Sequence, residues 1–140
     1  MNGPVKILLA EDNAADVWLI REALKRQSLN FEIDNYTTAE DAIEAILRCG
    51  SDDVRVPDLI LLDYNLPKGH GGEVLEAAAS NPHLAEVPKA ILSSFMQPQE
   101  LEKMLSLGAF CFISKPANLH EFLRVVGTRV TDLLNRPCTT

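Results

Sequence analysis

A chain of 140 residues can bury one ordinary core without disulfide or metal staples, and 46% hydrophobic with 24% charged residues is the balance of a soluble globular protein. Its formal net charge of -7 at pH 7 excludes a general nucleic-acid binder, because nothing in it would replace counterions along a phosphate backbone. No apolar run approaches a membrane span, Met1 to Pro4 carry no signal-peptide start, and Cys49, Cys111 and Cys138 are odd in number and far apart, which predicts a reduced, cytoplasmic protein.

Lys6 to Ala10 is a short apolar run that reads as a strand and ends in the acid pair Glu11-Asp12. Asn13 is placed to cap a helix in which Val17, Ile20 and Leu24 recur at helical spacing, with Arg21, Glu22, Lys25 and Arg26 on the other faces. Trp18 and Leu19 widen that stripe; packing is the plain reading, and an exposed Trp would mark an interface. Phe31 to Tyr36 alternates apolar with acidic residues, as suits an edge strand. Thr38 opens a second helix with Ala39, Ala42, Ile43, Ile46 and Leu47 inward, and Gly50 ends it.

Leu59 to Leu62 is too short for a helix core and shows no polar alternation, so it reads as a central strand buried on both faces. It stops at Asp63, after which Pro67, Gly69, Gly71 and Gly72 turn the chain into a helix from near Gly72 to Ser80. Asn81-Pro82 breaks that helix, and Ala90 to Leu92 forms a fourth strand ending in Ser93-Ser94. A helix over Gln97 to Leu107 is terminated by Gly108; a fifth strand, Phe110 to Ser114, ends in Lys115-Pro116. Asn118 caps a long last helix, followed by a frayed tail after Asn135. His70, His83 and His120 have no second histidine or cysteine at metal-ligand spacing and read as surface residues. Five strands alternating with five helices predict an α/β, doubly wound parallel sheet in one domain over 1–140, with a core from about 5 to 135.

An isolated Asp at a strand end is most simply a turn cap. Here Glu11-Asp12, Asp63, Ser93 and Lys115 all end strands, and in a parallel sheet those ends share one edge, where ligands bind. Clustered carboxylates repel by about 1 to 4 kcal/mol per pair, so a cation belongs among them, and a hard ion such as Mg2+ fits an oxygen set. Magnesium and Lys115 would neutralise a moving phosphoryl group, Ser93 would donate to it, and Asp63 would be the attacking carboxylate.

The acid pair, Leu61-Leu62-Asp63-Tyr64-Asn65-Leu66-Pro67, Gly71, Ser93 and Lys115-Pro116 together resemble the signature of a two-component receiver domain over nearly the whole chain. The resemblance implies a flavodoxin-like sheet of order 2-1-3-4-5 and phosphorylation of Asp63 by a histidine kinase. It also implies a metal site of Asp12, Asp63 and the backbone carbonyl of Asn65, with Glu11 acting through water. Ser93 and Phe112 would form the switch, and the Lys115-Pro116 bond would be cis. Ser93 stands where Thr is commoner, His70 where an acid is, and the glycines around His70 predict a looser loop. Phe95 would sit over the phosphoryl group and hinder water.

The Glu11 to Asp16 start, the Asn65 to Lys68 run and the long last helix resemble the small regulators that accompany bacterial phytochromes. With no room for an output domain, output would be contact, through the face of helix four, strand five and helix five, toward a downstream protein or a second copy as a homodimer. Two readings compete. A degenerate receiver would serve only as a scaffold; an aspartyl-phosphate phosphatase would need a second acid two residues after the nucleophile, where Asn65 stands. A flavodoxin-like cofactor binder would need a Gly-rich phosphate loop after the first strand.

Overall fold

The computed structural model describes residues 3–51 and 54–135. Each apolar run becomes a strand: β1 (Val5–Ala10), β2 (Phe31–Tyr36), β3 (Leu59–Asp63), β4 (Lys89–Ser93) and β5 (Cys111–Ser114). Between and after them lie α1 (Ala14–Arg26), α2 (Ala39–Arg48), α3 (Gly71–Ala79), α4 (Pro98–Ser106) and α5 (Leu119–Leu134). All strands pair in parallel in the order β2-β1-β3-β4-β5, the flavodoxin-like arrangement, with β2 at an edge as its alternating pattern predicts. The expected frayed tail and Cys138 lie outside the described residues. Among the described residues no helix is long and apolar enough to cross a membrane.

The period-two direction of side chains divides the sheet into two apolar faces. Ile7, Leu9, Leu59, Leu61, Leu92 and Ile113 pack against α1 and α5, whereas Leu8, Ala10, Ile60, Leu62 and Ile91 pack against α2, α3 and Met104 of α4. That is why β3 reads as an unbroken apolar run: both of its faces are covered. The predicted caps form, with Asn13 Oδ1, Thr38 Oγ1 and Asn118 Oδ1 each accepting from the backbone N–H three residues on. The α1–α5 seam is close at Gly127, where a Cβ would stand 2.9 Å from the Ala23 carbonyl oxygen.

Two features at the amino edge go beyond the sequence pattern. Asn81, expected only to break a helix, donates from Nδ2 to the carbonyls of Ile46 and Cys49 at the end of α2. Its Oδ1 accepts from His83 N and starts a 3-10 turn over Pro82–Leu84. Lys89, at the start of β4, is buried, and its Nζ donates to Leu84 O at 2.7 Å and Val87 O at 2.9 Å, with the Phe110 ring centre 5.6 Å away.

Candidate functional site

Register sets the height of each polar residue at the carboxyl edge. Ala10 pairs with Leu62, so Glu11 stands level with Asp63; Ser93 pairs with Ser114, so Lys115 follows one step beyond. Lys115 N donates to Ser93 O at 2.9 Å, which extends the strand pairing to the lysine itself. Its side chain then turns inward, and Nζ donates to Glu11 Oε1 at 2.6 Å, Asp16 Oδ2 at 3.0 Å and Asp63 Oδ2 at 3.2 Å. An ammonium has three N–H donors, so each carboxylate takes one.

Glu11 has no exposed surface, and its second oxygen accepts from Asn13 N at 3.1 Å. Burial pushes its carboxyl up to about 7, the hydrogen-bonded Asp63 adds to the rise, and Lys115 opposes it. For Lys115 burial pulls the other way, but the hydrogen bonds to Glu11 and Asp16 outweigh it and hold the ammonium above the ordinary lysine value. Asp63, 7% exposed, accepts from Asn65 N at 3.1 Å on its other oxygen.

Glu11, Asp12 and Asp63 offer carboxylate oxygens within 4.8 Å of one another. With Glu11 holding Lys115 and Asn13, and Asp12 exposed and taking no hydrogen bond or ion pair among the described residues, the set has a free hard ligand. That chemistry fits a divalent cation. These residues border an open cavity of about 390 Å³ whose rim includes Asn65, Ser93, Ser94 and Phe95.

Ser93 is buried and held within its own loop, where Oγ donates to Phe95 O at 2.8 Å and accepts from Phe95 N at 3.3 Å. Phe95 is 72% exposed at the cavity mouth. Phe112 is half-buried against the cluster under α2, α3 and α4. The expected cis bond before Pro116 is corrected: no cis peptide bond occurs among the described residues. The trans form is the intrinsically preferred one by about 0.5–1 kcal/mol, and from it Lys115 already reaches all its acceptors.

The loop after Asp63 is tied rather than loose. His70 Nδ1 accepts from Gly72 N at 2.9 Å and His70 N donates to Glu73 Oε1, so the histidine caps α3. Its ring meets that of Tyr64 edge-on at 4.8 Å, and Tyr64 OH donates to Glu100 Oε2 at 3.1 Å in the first turn of α4. Neither link was legible, since each depends on where a side chain reaches, the first across one loop and the second from that loop to α4. Asp16 was also missed, although its place one helical turn past the acid pair is a signal that could have found it.

Residues 7–127 match the family model described as "Response regulator receiver domain". The chain is 32% identical to the response regulator Rcp1 of Synechocystis over 89% of this chain and 86% of that protein. It is 32% identical to the two-component response regulator ARR17 of Arabidopsis thaliana, over 86% of this chain and 82% of that one. The crystal structure of the phosphorylated cyanobacterial phytochrome response regulator RcpA superposes with a TM-score of 0.85 at 34% identity, covering 95% and 96% of the two chains. The Mn(2+)-bound form of Rcp1 superposes with a TM-score of 0.84 at 30% identity, covering 98% and 99%. The chain therefore belongs to the response regulator receiver domains of two-component signalling.

Proposed function

We propose that the protein accepts a phosphoryl group on Asp63 from a histidine kinase in a Mg2+-dependent reaction and signals through phosphorylation-dependent protein contacts. The observation that carries this reading is the largely buried Lys115, shared by Glu11, Asp16 and Asp63 in an open acidic cavity. An Asp63 oxygen forms a bond to phosphorus as the bond from phosphorus to the donor's imidazole nitrogen breaks; the nitrogen leaves with the electron pair and is neutralised by a proton. Lys115 moves its weakest contact, the one to Asp63, onto the incoming phosphoryl oxygens. Hydrolysis reverses the gain, with water attacking phosphorus and the Asp63 carboxylate leaving.

Asp12, Asp63 and the Asn65 carbonyl would hold the magnesium, with Glu11 reaching it through water, and the ion would neutralise charge on the transferred group. The acid cluster and the manganese-bound form of Rcp1 support a divalent ion here. Ser93 would leave the Phe95 carbonyl to donate to the phosphoryl group, and Phe112 would turn further inward in the room that this frees. That change would alter the face of α4, β5 and α5, where we place a downstream protein or a second copy of the chain. Phe95 at the cavity mouth would hinder attacking water and lengthen the life of the phosphorylated form. Similarity to the cyanobacterial phytochrome regulator supports a phytochrome-type kinase as donor, in the cytoplasm.

The test is phosphorylation by a small phosphodonor, followed by intact mass. One phosphoryl group is gained with magnesium, none without it, and none by Asp63→Asn. A folded wild-type protein that gains nothing would instead be a scaffold.

A further inference from the structure

Asp16 lies outside the group of acids close enough to share a metal ion, yet it holds Lys115, the cation that lines the site among the described residues. We propose that Asp16 is a positioning residue for phosphoryl transfer: by taking one N–H of Lys115 it fixes the ammonium so that another N–H faces Asp63 and the arriving phosphoryl group. This rests on Asp63 being the phosphoacceptor.

A lysine ammonium is a point charge on a flexible four-carbon stem, so its acceptors decide where it sits. The contact to Asp63 is the longest of its three, 3.2 Å against 2.6 Å to Glu11 and 3.0 Å to Asp16. It is also the one that must be surrendered, because a phosphorylated aspartyl oxygen carries less charge than a carboxylate. With Glu11 as sole remaining anchor the ammonium would swing about a single contact. Asp16 reaches it from another element, the first turn of α1, and two anchors from different directions leave the third N–H aimed at the reacting oxygen.

The anchors are themselves linked. Asn13 N donates to Glu11 Oε2, and Asn13 Oδ1 accepts from Asp16 N, so the turn between β1 and α1 holds both carboxylates in one frame. Asp16 lies, with Lys115 and Ser94, on the border between the acidic cavity and a neighbouring groove lined by Pro116, Leu119 and Phe122. Asp16 is not one of the three clustered acids Glu11, Asp12 and Asp63, so it can keep its hold on Lys115 when a cation binds among them.

Asp16→Ala removes the acceptor but keeps the Asn13 cap, which uses only the backbone N–H of residue 16. With acetyl phosphate and magnesium, the maximal rate of Asp63 phosphorylation falls about tenfold at unchanged half-saturating donor concentration, less than the roughly hundredfold cost of a misplacement of about 1 Å. Asp16→Glu recovers most of the rate. Independently of phosphorylation, the Lys115 ammonium gives an exchange-protected nitrogen-15 resonance in the wild type that Asp16→Ala loses and Asp16→Glu regains. Retention of either the rate or the resonance in Asp16→Ala overturns the inference. A wild-type protein that takes no phosphate sinks the Asp63 reading instead, and the resonance alone then decides whether Asp16 holds Lys115.

Discussion

A buried lysine, Lys89, and a largely buried one, Lys115, stand at opposite ends of one sheet, and their surroundings differ in kind. Lys89, at the amino end of β4, donates to two neutral carbonyls and lies near the Phe110 ring; burial lowers its proton affinity, with Glu86 opposing. Lys115, past the carboxyl end of β5, faces three carboxylates, and its proton affinity rises. Elsewhere at the amino edge, charges are paired locally, with Lys6 on Asp34 and Arg55 on Asp58. At the carboxyl edge one cation serves Glu11, Asp16 and Asp63, and Asp12 adds a further acid close by. The end whose charges do not balance is the end with unused binding capacity, and that distinguishes a site from a scaffold contact even though each holds a lysine largely withdrawn from solvent.

The sharpest way to break this contrast is to delete each cation. Lys115→Met leaves Glu11 buried and unpaired and should destabilise the metal-free protein by about 3 kcal/mol at pH 8. Much of that loss should return at pH 6, as Glu11 takes up a proton; chemical denaturation at the two pH values reads both. The wild type should show a smaller form of the same slope. Glu11 titrates at about 7 in the folded state against an ordinary 4.5. The folded state thus binds the extra proton between those values, and this contribution is full below 4.5 and lost as pH rises through 7. The loss should be on the order of 2 kcal/mol between about pH 5 and pH 8, and Glu11→Gln should flatten it. Magnesium affinity should rise over the same interval, because the proton competes with the ion. Lys89→Met should cost least, about 1 kcal/mol. It takes the ammonium donor from two carbonyls, of which Leu84 O still accepts from Val87 N, and relieves a desolvated ammonium. A cost for Lys89→Met that rivals that of Lys115→Met would erase the contrast.

The fold was legible because its signals are local. Runs such as Leu59 to Leu62 and the caps Asn13, Thr38 and Asn118 need only neighbouring residues to be read, and parallel pairing then brings Glu11, Asp63, Ser93 and Lys115 to one edge. What escaped depends on side-chain reach between segments. Asp16 reads as a helix N-terminal acid until Lys115 is seen to turn toward it from 99 residues away. His70 reads as a surface residue in a glycine-rich loop, yet its ring nitrogen closes the first turn of α3. Asn81 reads as a breaker, yet it holds the last carbonyls of α2. In each case composition gave the residue's polarity but not the direction in which its hydrogen bonds run.

Gly127 has a consequence for how the sequence can vary. In the middle of a helix, glycine is ordinarily worse than alanine by about 1 kcal/mol, so replacement should be tolerated or favoured. At this position the new methyl would press on the Ala23 carbonyl, a backbone group that cannot turn aside as a side chain can. The preference order of residues is therefore inverted at this point of the α1–α5 seam. A substitution that improves α5 as an isolated helix would spoil the spacing that lets it lie against α1.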